Sequence, residues 1–100
     1  MIIKWTDLAY DSFEDEIDFI INKWNKKEAL KFSVLVQGFL ILLEENPYLG
    51  KMSSYKGFRQ FVLSTQTKIW YKIDEKMEII YISFFWNNKK HPTNLIKYLK

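Results

Sequence analysis

The sequence predicts an α+β fold: an antiparallel sheet with a helical hairpin on one face and a short helix at the C-terminus. Three observations carry that reading. Phe58 to Phe85 holds three runs rich in β-branched and aromatic residues, FRQFVLS, TKIWYKI and MEIIYISFF. Short polar breaks at Thr65-Gln66 and Asp74-Glu75-Lys76 separate them, as in a meander of three antiparallel strands. Two long segments upstream repeat their apolar residues at helical spacing. The order is therefore β-α-α-β-β-β with a last short helix, in 100 residues read as one domain.

Taken in order, Ile2-Ile3-Lys4-Trp5 is a short apolar run that fits a first strand. Thr6 or Asp7 then offers an oxygen to cap a helix over about 8–23. In that helix Phe13, Ile17, Ile20, Ile21 and Trp24 form the expected inward stripe. Asp11, Glu14, Asp15 and Asp18 form the opposite face, and early carboxylates suit the helix dipole. Asn25-Lys26-Lys27-Glu28 has the form of a capping box for a second helix over about 27–45. Its stripe is Ala29, Phe32, Val36, Phe39 and Leu43, thickened by Leu35 and Leu42. The short connection makes the two helices an antiparallel hairpin. Asn46-Pro47 ends the second one, because proline has no N–H and disfavours helix in the residue before it.

Residues 47–57 read as a loop leading into the meander. Neither break within the meander contains glycine, so loops longer than two residues are expected there. In the middle strand Ile69, Tyr71 and Ile73 share one face, and Lys68, Trp70 and Lys72 share the other. Strict alternation in the last strand sets Ile79 and Tyr81 against Ile80, Ile82 and Phe84. A strand apolar on both faces belongs inside a sheet, which requires a further neighbour, and the N-terminal strand is the one on offer. Thr93 to Leu99 closes the chain as an amphipathic turn or two.

Composition narrows the chemistry. The chain has 48% hydrophobic residues and no cysteine, which excludes disulfides, thiolate catalysis and cysteine-ligated metal. The opening MIIKWTDLAYDSF has no signal-peptide pattern and no stretch is apolar for a membrane span, so a cytoplasmic protein is expected. Residues 1–50 carry 5 Lys/Arg and 9 Asp/Glu, a balance of −4, whereas 51–100 carry 10 and 3, a balance of +7. The sheet half thus suits a polyanion or an acidic partner. Lysines also solubilise strands and blunt edges, so charge alone leaves both readings open.

Several groups of residues together resemble one family. They are Trp5 with Ala9, Leu42-Leu43 leading into Asn46-Pro47-Tyr48-Leu49-Gly50, and Phe58-Arg59. Ile69-Trp70-Tyr71-Lys72-Ile73, Ile79-Ile80, Phe84-Phe85 and the segment Lys89 to Pro92 complete the set. In order and length the chain resembles the RelE/ParE superfamily of bacterial type II toxins. That resemblance implies a growth-arresting toxin neutralised by a cognate antitoxin, acting in one branch on DNA gyrase and in the other on ribosome-bound mRNA. It implies no cofactor and no metal.

The ribonuclease branch needs a base, an acid and cations for the transition state. The resemblance places Arg59, Lys89 and His91 in those roles if the protein is a nuclease. Leu63 stands where that branch often has a mid-strand arginine, which favours the gyrase-directed kind. Arg59 has a structural reading as well, an ion pair with a carboxylate of the first helix. Lys68, Trp70, Lys72, Lys90, Leu95 and Tyr98 are the expected surface for target or antitoxin, with Trp70 stacking and lysines neutralising phosphate. Trp70 can equally pack beneath the loop or the last helix. A basic nucleic-acid-binding module without toxicity is the third reading.

Overall fold

A computed structural model describes residues 1–90 and 92–99. The elements are β1 (Ile2–Trp5), α1 (Asp7–Lys23), α2 (Lys26–Glu45), β2 (Lys51–Met52), β3 (Phe58–Val62), β4 (Thr67–Asp74), β5 (Ile79–Asn87) and α3 (Pro92–Leu99). They form a five-stranded sheet in the order β1-β5-β4-β3-β2. The meander, the hairpin and the interior place of β5 follow the sequence reading.

Two features of the sheet were not anticipated. Within the loop expected over 47–57, Lys51–Met52 pairs with Arg59 and Gln60 as a two-residue edge strand. The sheet is also mixed, because β1 runs parallel to β5, with Ile2 opposite Ile79 and Trp5 opposite Ile82. Thr6 accounts for that direction. Its side chain caps α1 by accepting from the Ala9 N–H at 3.0 Å, and its hydroxyl donates to the Ser83 carbonyl at 2.8 Å. The end of β1 is thereby fixed beside Ser83, where β5 runs the same way.

Ser83 also explains a second departure. The β4–β5 register pairs Trp70 with Phe84 but Tyr71 with Ile82, so Ser83 is the extra residue of a bulge. A bulge shifts the alternation by one. Ile80, Ile82 and Phe85 consequently face the helical hairpin, while Phe84 and Trp86 face the other way. The expectation that Phe84 shares a face with Ile80 and Ile82 is corrected by that one inserted residue.

The core under the hairpin is built from Ala29, Phe32, Val36, Phe39 and Leu43 of α2 against Ile69, Tyr71, Ile80, Ile82 and Phe85. Phe39 and Phe61 meet at 4.6 Å between ring centroids. Leu35 and Leu42 are exposed instead of thickening this stripe. The sheet and α1 cover one side of α2, and both leucines lie beyond it. On α1 the buried line is Ala9, Ser12, Glu16 and Ile20, with Phe13, Ile17 and Ile21 along its margin. Small residues at 9 and 12 let the helix sit close against β5. Trp24 was expected inside, but α1 ends at Lys23 and Trp24 takes φ −127°, ψ −91°, which turns its ring outward.

Ser12 and Glu16 bring polarity into that interface. The Ser12 hydroxyl donates to the Leu8 carbonyl and accepts from the Phe85 N–H at 2.9 Å, two residues beyond the bulge. Glu16 is 1% exposed and accepts from the Thr67 hydroxyl at 2.9 Å and the Asn87 amide at 3.4 Å. The hydrogen bonds tie α1 to the ends of β4 and β5 and satisfy groups that burial would otherwise penalise.

Candidate functional site

The sheet face away from the hairpin carries an aromatic floor of Phe58, Trp70, Phe84 and Trp86. Its residues come from three adjacent strands, and the bulge at Ser83 is what delivers Phe84 and Trp86 to it. Trp70 stacks on Phe84 at 5.3 Å and 17°, and Phe58 meets Trp70 edge-on at 6.0 Å. The helix α3 packs against this floor through Leu95, Tyr98 and Leu99. Tyr98 presents its ring edge-on to Phe84 at 5.1 Å and to Trp86 at 5.6 Å.

Three expected lysines border the floor. Lys72 lies over the Phe58 ring at 4.2 Å. Lys90 lies over Trp86 and Tyr98 at 5.8 and 5.3 Å, and its ammonium donates to the Tyr98 hydroxyl at 3.2 Å. Lys68 is paired across the strands with Val62 and Trp86. Cations over ring faces are held electrostatically without losing their charge. The result is a basic rim around an apolar centre.

Of the two readings given for Trp70, the packed one is seen. Trp70 is 4% exposed, with Tyr55 leaning on it at 6.1 Å, so its ring is a floor and not a stacking surface. Its Nε1 is buried without a hydrogen-bond partner among the described residues. Leu95 and Tyr98 are turned toward the sheet, leaving Asn94, Ile96 and Lys97 as the exposed side of α3.

Arg59 and Lys89 are not on this face. Arg59 pairs across the strands with Tyr71, on the hairpin side. Its guanidinium donates to the Gly50 carbonyl at 2.8 Å and stacks on the Tyr48 ring at 5.0 Å. The partner is thus a backbone carbonyl and not the helix-one carboxylate of the structural reading. Around it the Tyr71 hydroxyl donates to the Pro47 carbonyl at 3.0 Å and accepts from the Gly50 N–H at 2.7 Å, while the Tyr48 hydroxyl donates to Glu75 at 2.6 Å. Burial pushes the Tyr71 phenol above its ordinary value, against the opposing pull of the Gly50 hydrogen bond and the Arg59 charge. The Glu75 carboxylate, as acceptor of its proton, raises Tyr48.

Lys89 is exposed just past β5, its N–H donating to the Asn87 side chain at 2.8 Å. There it meets Lys23 at the end of α1. Lys23 is lowered from the ordinary lysine value by side-chain contact with Lys89, then by burial and by the repulsion of the Lys89 charge. Lys23 also lies over the Trp24 ring at 4.9 Å. The sequence reading missed this lysine pair, because the strand end and the helix end lie 66 residues apart in the chain. His91 lies outside the described residues. The three candidate catalytic residues are therefore not seen to converge: Arg59 and Lys89 sit at separate places. Among the described residues no group of three or more metal-ligating side chains comes together, and no helix is long and apolar enough to cross a membrane.

A mixed five-stranded sheet with a helical hairpin on one face and a C-terminal helix on the other is an architecture shared with chains of solved toxin–antitoxin pairs. One is the chromosomal ParDE system of P. aeruginosa, with a TM-score of 0.73 at 20% identity over 87% of this chain and 95% of that one. A second is the RelBE2 toxin–antitoxin complex of Mycobacterium tuberculosis, at 0.59 and 15% identity over 86% and 95%. YafQ of E. coli gives 0.50 and 15% over 93% and 94%. These likenesses define the fold class, RelE/ParE-like. No curated protein matches the sequence. The family described as the ParE toxin of the type II toxin–antitoxin system parDE matches residues 3–91, and the chain belongs to it.

Proposed function

We propose that this ParE-family toxin arrests growth by binding DNA gyrase in the cytoplasm, without chemistry of its own, and that a cognate antitoxin holds it in check. One observation carries the reading: the chain's single guanidinium is already engaged. Arg59 is bound to the Gly50 carbonyl and stacked on Tyr48, on the sheet side opposite Lys68 and Lys72. Held there, the guanidinium lies on the face away from Lys68 and Lys72 and does not join them around one phosphorane. Leu63, at the position the ribonuclease branch often gives to arginine, is buried in the hairpin core.

The basic rim supports a binding role. Lys68, Lys72 and Lys90 surround an apolar floor in the half of the chain with a balance of +7. An antitoxin segment rich in carboxylates would meet complementary charge there. Induced expression, assayed in parallel by gyrase supercoiling and by primer extension on mRNA, tests the target. Inhibited supercoiling without new mRNA ends is the expected result. New 5′ ends within codons, with gyrase untouched, would replace this reading by ribosome-dependent RNA cleavage.

A further inference from the structure

The helix α2 has a second apolar face that nothing in the fold covers. Leu30, Val34 and Ile41 are 66%, 61% and 63% exposed, and Leu42 flanks them, also exposed. With Lys27, Gly38 and Glu45 they fall at spacings of three or four residues, which is one stripe along a helix. That stripe lies opposite the buried line from Ala29 to Leu43. A helix apolar on both sides is ordinarily covered on both.

The stripe is also self-complementary. Two copies of α2 laid antiparallel, with a two-fold axis at the level of residue 36, put Leu30 against Leu42, Val34 against Gly38 and Ile41 against the aliphatic stem of Lys31. The same axis brings Lys27 of each copy to Glu45 of the other. Both residues are exposed, and the one ion pair among the described residues is Lys31 with Glu28. Within one chain Lys27 and Glu45 are about 27 Å apart along the helix, so they cannot meet each other. Gly38 fits the same picture. A Cβ there would meet nothing within 4 Å, so the fold gives no reason for glycine, which weakens an exposed helix relative to alanine. Opposite a Val34 side chain, its bare backbone lets two axes approach closely.

We propose that the outer face of α2 pairs with the same face of a second copy of this chain, as an antiparallel two-fold helix pair. The charge pattern selects this occupant over an antitoxin segment. An acidic segment complements the lysine-rich sheet half, whereas α2 carries Lys27 at one end of the stripe and Glu45 at the other, the pattern an isologous contact requires.

Sedimentation equilibrium of the full chain tests the proposal. The apparent mass should rise with concentration toward twice that of one chain. Val34→Lys and Gly38→Gln should each hold the protein at the mass of one chain, and at concentrations where the parent too is monomeric Gly38→Gln should not lower the melting temperature, since glutamine is the better helix former. Lys27→Glu or Glu45→Lys alone should weaken the dimer by about tenfold, because each change converts two symmetric attractions into two repulsions. The double variant Lys27→Glu with Glu45→Lys should restore it. A protein monomeric at every concentration, or a dimer indifferent to Val34→Lys and Gly38→Gln, would overturn the proposal. So would a double variant as weak as either single one. If the protein is monomeric and Val34→Lys instead abolishes binding of the cognate antitoxin, the face belongs to that partner and the proposal fails.

Discussion

Removing the Glu16 carboxylate should be among the most damaging single changes available. The side chain is 1% exposed and accepts from two donors that are themselves buried, the Thr67 hydroxyl and the Asn87 amide. In Glu16→Ala both donors lose that acceptor inside the protein, and each buried group left without a partner costs about 1–3 kcal/mol. A cavity beneath β4 and β5 adds to this, so a loss of about 3–4 kcal/mol is expected. For a chain of 100 residues that is a fall of roughly 12–30 °C in melting temperature.

Glu16→Gln is the informative companion. Its amide oxygen can still accept from Thr67, so about 1 kcal/mol should be lost. Thr67→Val breaks the same contact from the other side. Paired with Glu16→Leu it should show a coupling of at least about 1 kcal/mol in a double-mutant cycle followed by urea unfolding. Additivity within about 0.5 kcal/mol, or a Glu16→Ala protein as stable as the parent, would refute the claim that this carboxylate anchors α1 to the sheet.

Three further outcomes follow from the cluster at the exit of α2. Gly50→Ala would place a Cβ 2.7 Å from the Tyr71 hydroxyl and 2.9 Å from the Gln60 carbonyl, so a loss of about 2–3 kcal/mol is expected in thermal unfolding. Arg59→Lys loses the stack on Tyr48 and weakens the hold on the Gly50 carbonyl; stability should fall by about 1–2 kcal/mol while the folded fraction still arrests growth. Arrest abolished at unchanged stability would instead place the guanidinium on the target. Tyr71 sets an alkaline limit. Its folded value is raised by burial, so the stabilisation is complete below the unfolded tyrosine value of about 10 and is lost as pH climbs through the higher folded one. Melting temperature should fall more steeply with pH above about 10 for the parent than for Tyr71→Phe; identical slopes would exclude Tyr71 as the titrating group.

Much of the fold was legible because periodicity reports burial directly. The stripe Ala29, Phe32, Val36, Phe39 and Leu43 is the buried line of α2 without exception. The doubly apolar β5 did find a neighbour on its far side, in β1. What escaped was set by single residues. One inserted residue at Ser83 moved Phe84 to the other face, and no composition or spacing distinguishes that serine from an ordinary strand position. The direction of β1 depended on where the Thr6 hydroxyl finds its acceptor, 77 residues away. On α1 the reading followed the aromatic and aliphatic side chains, whereas the closest approach to the sheet belongs to Ala9, Ser12 and Glu16. A small-residue spacing was the available signal, and a buried glutamate is the residue type least expected to continue it.

The site was less legible than the fold, for a reason visible in Lys72 and Arg59. Both carry a cation beside an aromatic ring, and the sequence gives them equal standing. Yet they belong to opposite faces of one sheet. Lys72 holds its ammonium above Phe58 at the solvent edge, while Arg59 donates to the Gly50 carbonyl in the loop that begins at Pro47. Gly50 explains why the arginine is needed there. With its N–H held by the Tyr71 hydroxyl and its carbonyl by Arg59, this residue turns the chain from the end of α2 into the sheet, at a point too tight for any side chain. The stretch from Asn46 to Gly50, one of several that suggested the family from the sequence, is thus held by contacts to its own sheet. The residues from Asn46 to Gly50 mark how the scaffold closes, on the face away from the basic rim of Lys68 and Lys72.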